Sequence, residues 1–176
     1  MKQVLSILAL SGLLIACESS QKQETKSTEP ASSITLPYTP TYSVDVDQNV
    51  SDDDLLVVLN SYKDWETGNM GNLRNAFGDS ISFNGWDGTN FNGLTDSLLT
   101  KWSASRDSLS EVKIEIHVWM KNHFLKDDHR NITLWYTETD TYKDGNVVKF
   151  EMHDINQVKD GKIIWYSQYR RAIESE

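Results

Sequence analysis

Residues 151–171 read EMHDINQVKDGKIIWYSQYRR, in which a central Lys-Asp-Gly separates two segments of alternating apolar and polar side chains. An Asp-Gly pair between two alternating runs is a strong signal of a β-hairpin. The pattern predicts strands over 147–158 and 162–171. Because successive side chains of a strand point to opposite faces, Asp154 is predicted to face inward and His153 to face outward. These two neighbours are therefore not expected to form a catalytic hydrogen-bonded pair.

The same alternation continues upstream and predicts two further strands, over 112–124 and 130–142, with a Lys-Asp-Gly-Asn turn at 143–146 leading into the hairpin. The apolar positions assign an inner face to each strand. The inner-facing residues are predicted to be Val112, Ile114, Ile116, Val118 and Met120, then Ile132, Leu134, Tyr136 and Glu138, then Val148, Phe150, Met152 and Asp154, then Ile164, Tyr166, Gln168 and Arg170. Together these strands form an antiparallel meander.

Helical signals precede the meander. Ser51 followed by three aspartates is typical of a helix N-terminus, and this helix is predicted to end near Gly68. The segments that follow are predicted to be a short helix over 69–77, a strand over 80–83, a Gly/Asn-rich loop over 84–93 and a helix over 94–109. Helices followed by a meander predict an α+β domain over 51–173, with N-terminal helices packed on one face of a curved antiparallel sheet.

Two stretches of this domain resemble a known superfamily. YKDWETGNMGNLRNAFGDSISF (62–83) is similar to the opening of nuclear transport factor 2-like, or SnoaL-like, domains, and HDINQVKDGKIIWYSQY (153–169) is similar to their closing hairpin. The resemblance covers the whole of 51–173. It implies a cone-shaped, cystatin-like fold whose helices and curved sheet enclose a pocket, and a homodimer formed through the sheet.

The outer face of the predicted sheet is unusually aromatic. The residues expected on it are His117, Trp119, Trp135, His153, Trp165 and Tyr169. Aromatic clusters of this kind mark interfaces rather than solvated faces, so this face is predicted to be the dimer interface. A metal or catalytic site at His117 and His153 is the alternative, but it lacks a third ligand. No metal and no cofactor is predicted.

The inner face predicts a ligand site at the mouth of the cone. The candidate ligand-binding residues are Trp86, Trp102, Tyr136, Asp154, Tyr166 and Gln168. An apolar cavity with a few converging polar groups suits a small molecule. Burial would raise the pKa of Asp154 and make it the candidate catalytic acid or base, with Tyr136 or Tyr166 assisting. Alternatively, Asp154 pairs with Arg170 or caps the turn before Gly161.

One position departs from the resemblance. The polyketide-cyclase branch carries an acidic residue and a histidine in its last strand, whereas this chain has Gln168 and no acid or histidine in the segment Ile164 to Gln168. A glutamine can orient a ligand but cannot exchange a proton at neutral pH. The expected function is therefore binding of a small apolar ligand or of a protein partner, with a SnoaL-like isomerase, cyclase or hydratase as the alternative. A third possibility is an interaction platform whose cone is filled by side chains.

The N-terminal sequence predicts a cellular location. MKQVLSILALSGLLIAC begins with Lys2, continues with an apolar segment too short to be an ordinary membrane span, and ends at Cys17. This resembles a bacterial lipoprotein signal peptide (1–16) with its lipobox, which implies lipidation of Cys17. Residues 17–50 contain all three prolines among Ser, Thr, Glu and Gln, and predict a flexible tether whose last part could pack on the domain. Because Glu18 is not a recognised inner-membrane retention signal, the expected location is the outer membrane of the cell envelope, facing the periplasm or the exterior.

The composition narrows the classes of partner. The formal charge is −9 and there is no Lys/Arg run, so a nucleic-acid backbone would be repelled. The single cysteine excludes an intramolecular disulfide and a multi-cysteine metal site.

Overall fold

The computed structural model describes residues 37–38 and 45–173, and the chain divides into two compact units at residues 38 and 39. The predicted signal peptide, Cys17 and most of the predicted tether lie outside the described residues. In the described part of the second unit, residues 45–173, there are ten elements: β1 (Val46–Asp47), α1 (Asp52–Thr67), α2 (Met70–Ala76), β2 (Phe77–Asn84), β3 (Asn90–Leu94), α3 (Thr95–Asp107), β4 (Leu109–Phe124), β5 (His129–Tyr142), β6 (Val147–Lys159) and β7 (Lys162–Ala172). None of the helices in these described ranges is long and apolar enough to cross a membrane.

The first helix begins and ends where its sequence signals predict. The Oγ of Ser51 accepts a hydrogen bond from the backbone N–H of Asp54, and three aspartates occupy the first turn, where the helix dipole favours negative charge. The helix ends at Gly68, whose φ of 73° is in the left-handed region that favours glycine. This confirms the predicted boundaries of α1.

The seven strands of residues 45–173 form one sheet in the order β1-β4-β5-β6-β7-β2-β3. The meander β4 to β7 is antiparallel as predicted, but β2 pairs with β7 in parallel, so the sheet is mixed. The predicted loop at 84–93 is also shorter than expected, because residues 90–94 form β3 against β2. The turn of the β6–β7 hairpin has Asp160 and Gly161 at φ of 51° and 69°, the backbone geometry that its Asp-Gly sequence predicts.

A β-bulge in β4 reverses the predicted faces of that strand's second half. Ile116 pairs with Tyr136 and Val118 pairs with Trp135, so His117 is an additional residue in β4. Directly paired residues share a face, and Trp119 therefore lies on the helix-bearing face with its partner Leu134. The prediction that Trp119 faces outward and that Val118 and Met120 face inward was wrong for this reason.

A second bulge corrects the start of β7. Gln157 pairs with Trp165 while Val158 pairs with Ile163, so Ile164 is the additional residue. Ile163 is fully buried, although it was predicted to face outward. Beyond the bulge, the pairs of Asp154 with Gln168 and of His153 with Tyr169 place the remaining residues of β7 on the predicted faces.

The folded unit begins before Ser51. Val46 and Asp47 form β1 against the end of β4, and Val50 is buried in the core. His123 of β4 fixes this arm, since its Nδ1 lies 3.1 Å from Oδ1 of Asp47 and its Nε2 lies 2.8 Å from Oδ1 of Asp128. The last residues of the predicted tether are therefore part of the domain.

Candidate functional site

A cavity of about 500 Å³ lies between the helices and the inner face of the sheet. Helices α1 and α3, strands β5, β6 and β7, and the loop between β2 and β3 all contribute side chains to its lining. The aromatic and polar lining residues include Tyr62, Trp65, Trp86, Asp87, Lys101, Trp102, Tyr136, Glu138, Asp140, Asn156, Tyr166, Gln168 and Arg170. This volume is within the usual range of small-molecule sites.

Packed aromatic rings form the wall next to α3. Trp102 makes edge contacts with Phe77, Phe83 and Tyr166, at ring-centroid distances of 5.8, 5.3 and 5.9 Å. Phe83 also stacks on Tyr166 at 5.4 Å. Such contacts hold each ring in a fixed orientation, so this wall presents a rigid, apolar surface to the cavity.

Behind the cavity, three tyrosines converge on one carboxylate oxygen. The hydroxyl groups of Tyr62, Tyr136 and Tyr166 donate to Oδ2 of Asp154 at 2.8, 2.7 and 2.6 Å. Two amides complete the network, since Asn156 Nδ2 donates to the hydroxyl of Tyr62 at 3.1 Å and Gln168 Nε2 donates to that of Tyr166 at 2.9 Å. The sequence supplies these groups from α1, β5, β6 and β7, and the fold brings them together.

Burial dominates the protonation of this network. Asp154 is completely buried, and burial raises its pKa to about 6, although the tyrosine hydrogen bonds oppose the rise. The pKa values of the three tyrosines are raised well above 10, first by burial and then by the charge of Asp154. The tyrosines are therefore neutral hydrogen-bond donors near neutral pH and not bases.

The structure corrects the alternative contacts that were expected for Asp154. Its hydrogen bonds go to the tyrosines rather than to Arg170 or to the turn before Gly161. Its Oδ1 has no hydrogen-bond partner among the described residues. Asp154 does not border the cavity, whereas the three tyrosines do. The carboxylate thus orients the tyrosines and is separated from cavity space by them.

A second acidic group lies directly on the cavity. Glu138 and Asp140 are two residues apart on β5, so they share its inner face, and both are more than nine-tenths buried. Burial is the largest cause that raises the pKa of Glu138, to about 8, and Asp140 adds to it. Burial also raises the pKa of Asp140. Because the charge of Asp140 adds to the effect of burial on the pKa of Glu138, the pair holds one proton near neutral pH.

A stacked arginine lies at the cavity mouth. The guanidinium of Arg170 is 3.1 Å from the ring centroid of Trp86 and 4.3 Å from that of Phe150. Trp86 belongs to the loop between β2 and β3 and is about half exposed. The cation–π contact therefore joins this loop to the last strand.

Five of the six predicted ligand-binding residues border the cavity, and the sixth, Asp154, lies behind them. Tyr62, Asp140 and Asn156 also border the cavity but were not among the residues predicted for this site. Asp140 and Asn156 continue the inner-facing alternation of β5 and β6, so that pattern could have identified both. Tyr62 looked like an ordinary core position of an amphipathic helix, and no local signal reveals its contact with a residue 92 positions away.

The outer sheet face carries a row of rings. Trp135 stacks on His153 at a centroid distance of 4.5 Å, and His153 lies 5.8 Å from Tyr169. Burial lowers the pKa of His153. The opposite orientations of His153 and Asp154 confirm that the adjacent residues form no pair. Trp165 pairs with Gln157 on this face, and His117 Nε2 lies 2.8 Å from Oγ1 of Thr137.

In residues 37–38 and 45–173, no three His, Cys, Asp or Glu side chains are grouped to hold a metal ion.

Solved structures with the same architecture place this arrangement in a known fold. An LEH-like epoxide hydrolase from M. tuberculosis is 14% identical with a TM-score of 0.59, over 69% of this chain and 84% of that one. An NTF2-like protein from Anabaena variabilis is 14% identical with a TM-score of 0.58, over 72% and 96% of the two chains. AusH from Aspergillus nidulans is 10% identical with a TM-score of 0.58, over 72% and 89%. The domain has the nuclear transport factor 2-like fold.

Identities this low show the fold alone. No protein-family model matches the chain, and no curated protein matches it. The nuclear transport factor 2-like fold is shared by enzymes and by proteins of unknown function, so the function must be argued from the cavity itself.

Proposed function

We propose that this domain binds a small, largely apolar molecule in the cavity between its helices and its sheet. The observation that carries the proposal is the cavity itself, about 500 Å³ in volume and walled by tryptophan, tyrosine and phenylalanine rings that pack on one another. A platform filled by side chains would leave no such volume. Rigid aromatic walls lose little conformational entropy when a ligand binds, which favours binding.

Catalysis by Asp154 is the less favoured function. A general acid or base must approach the proton that it transfers to within hydrogen-bond distance or through one water. Oδ2 of Asp154 already accepts three hydrogen bonds, and the donor tyrosines lie between it and the cavity. Gln168, at the position where a catalytic acid would be expected from the resemblance, donates to Tyr166 instead. These contacts favour a structural role for Asp154.

The proposal includes a location and an assembly. Lipidation of Cys17 would anchor the chain at the bacterial cell envelope, in the outer membrane, with the domain on a tether. Homodimerisation would cover the row formed by Trp135, His153 and Tyr169, whose stacked rings would otherwise remain on an open sheet face. Neither process would obstruct the cavity, because the cavity lies on the opposite side of the sheet.

The binding function can be tested by closing the cavity mouth. Ser105 is exposed on α3 and borders the cavity, so a phenylalanine there would place a ring at its entrance. The neighbouring Ala104 is also exposed on the same helix but does not border the cavity. The probe is the neutral fluorophore N-phenyl-1-naphthylamine, whose emission increases in an apolar site. We expect Ser105→Phe to weaken its binding at least tenfold and Ala104→Phe to leave it within twofold.

If the wild type and both variants bound the probe with equal affinity, the probe would bind outside the cavity, and this result would contradict the proposal that the cavity is the binding site. A melting temperature measured for each variant controls for unfolding. If the wild type binds neither this probe nor any member of a panel of small neutral aromatic compounds, the proposed function is wrong.

A further inference from the structure

We propose that Glu138 and Asp140 form the recognition site for an organic ammonium group. The ligand of the cavity is then an amine that carries an apolar, aromatic group. This inference rests on the proposed binding function and names the class of ligand.

An unsatisfied hydrogen-bond acceptor lies at the cavity wall. Asp140 is 7% exposed and borders the cavity, and its Oδ1 receives no hydrogen bond from any residue in the described part of the chain. A buried carboxylate oxygen without a donor is energetically costly. A ligand that supplies an N–H to this oxygen would remove that cost, whereas a ligand that lacks a donor would not.

The Glu138–Asp140 pair also has no close counter-ion. Among residues 45–173, no lysine, arginine or histidine lies within ion-pair distance of Glu138 or Asp140. The two nearest arginines are engaged elsewhere. Arg170 stacks between two aromatic rings, and Arg106 donates to the backbone carbonyls of Trp65, Glu66 and Leu109. The pair therefore keeps a proton in place of a counter-ion.

The three tyrosine hydroxyl groups that border the cavity have no proton to offer a ligand. Each of Tyr62, Tyr136 and Tyr166 uses its only hydroxyl proton on Asp154, so toward the cavity its oxygen can only accept. This distribution favours a ligand that donates.

The charge of the lining agrees with a cationic ligand. Among the side chains that border the cavity, Asp87, Glu138 and Asp140 are acidic, and Lys101 and Arg170 are basic. When all are ionised their sum is −1, which one ammonium group would cancel and one carboxylate would double. Trp65 and Trp102 also border the cavity, and aromatic rings attract an organic cation.

Binding of the ammonium group is expected to displace the proton held by the Glu138–Asp140 pair. In the free protein below pH 8, the Glu138–Asp140 pair holds one proton. The incoming ammonium donates N–H bonds to both carboxylates, and the displaced proton leaves to solvent. Since burial and the neighbouring carboxylate raise the pKa of Glu138 to about 8, one proton should be released per amine bound below that pH, and none well above it.

Other charged groups around the pair limit the pH range of the test. Those that face it are Asp154 on β6, Arg170 on β7, Lys101 and Arg106 on α3, Asp87 in the loop between β2 and β3, and the tyrosines Tyr62, Tyr136, Tyr142 and Tyr166. Asp154 titrates near 6. Measurements between pH 6.5 and 8.5 therefore report chiefly on the Glu138–Asp140 pair.

The experiment uses three probes of one shape on the full-length chain: tryptamine, its neutral counterpart tryptophol, and the anion indole-3-acetate. Isothermal titration calorimetry in buffers of different ionisation enthalpy counts the protons released. We expect tryptamine to bind at least tenfold more tightly than tryptophol at pH 8.5, and indole-3-acetate to bind most weakly. The affinity for tryptamine should increase roughly 25-fold from pH 6.5 to 8.5, as one site with a pKa of about 8 requires.

A double variant identifies the residues responsible. Glu138→Gln with Asp140→Asn should reduce tryptamine binding to the level of tryptophol and abolish proton release, while tryptophol binding changes less than threefold. If tryptophol binds the wild type as tightly as tryptamine, or no proton is released, the inference is wrong although the cavity still binds ligands. If neither indole binds, the inference is also wrong, and the N-phenyl-1-naphthylamine test decides separately whether the binding function survives.

Discussion

Replacing Asp154 with asparagine should change how the stability of the domain depends on pH. The substitution keeps the size of the side chain and removes its charge. In the wild type the folded-state pKa is about 6 and the ordinary value is 3.8. The folded state therefore holds the proton more tightly than the unfolded state does, which means that the ionised carboxylate is disfavoured on folding.

The magnitude follows from the difference between the two pKa values. At a pH below 3.8, both states are protonated and Asp154 contributes its full stability. As the pH rises through 6, the unfolded state has lost its proton first, and about 3 kcal/mol of the free energy of unfolding is lost. Between pH 4 and pH 7 the expected loss is about 2.4 kcal/mol by the same relation. The carboxylate is completely buried, so solvent screening does not reduce this value.

Urea unfolding followed by tryptophan fluorescence, at pH 4 and pH 7, measures the effect for both proteins. Other carboxylates titrate in the same range, and comparing the wild type with Asp154→Asn removes most of their contribution. We expect the free energy of unfolding of the wild type, relative to the variant, to fall by about 2 kcal/mol on going from pH 4 to pH 7. An unchanged difference would mean that Asp154 titrates normally. If the wild type instead became more stable relative to the variant between pH 4 and pH 7, the effect of the tyrosine hydrogen bonds on the pKa of Asp154 would outweigh that of desolvation.

Three further predictions concern the assembly, the anchor and a helix end. Trp135→Glu should convert a dimer into a monomer in light scattering, whereas Trp119→Glu, on the other face, should not. If neither variant changes the mass of a dimer, the interface lies elsewhere. Cys17→Ser should abolish acyl labelling and release the protein from membranes, and retention of the label would contradict lipidation at that cysteine. Gly68→Ala should destabilise the domain by about 1 kcal/mol because its φ is positive, whereas Gly71→Ala within α2 should not, and equal melting temperatures for the two would contradict this reasoning.

Much of the fold could be predicted because its signals are local. The alternation of strands β5 and β6, the Asp-Gly turn and the Ser51 cap each depend on residues within one element or one turn. The same locality explains why the opposite orientations of His153 and Asp154 follow from their adjacency in one strand. It also explains why most of the cavity-lining residues of these strands were identified, since burial follows the period of the strand.

Only the tertiary structure determined the features that depend on distant pairing. The bulges at His117 and Ile164 turned Trp119 and Ile163 to unexpected faces, and a strand's own sequence does not specify where its partner leaves an extra residue. The parallel pairing of β2 with β7 is equally non-local. Asp154 acquired its three tyrosine donors from α1, β5 and β7. The sequence by itself determined that this aspartate faces inward, because side chains alternate along a strand. The packing of three other elements around it decided that it organises a cavity wall instead of facing the cavity.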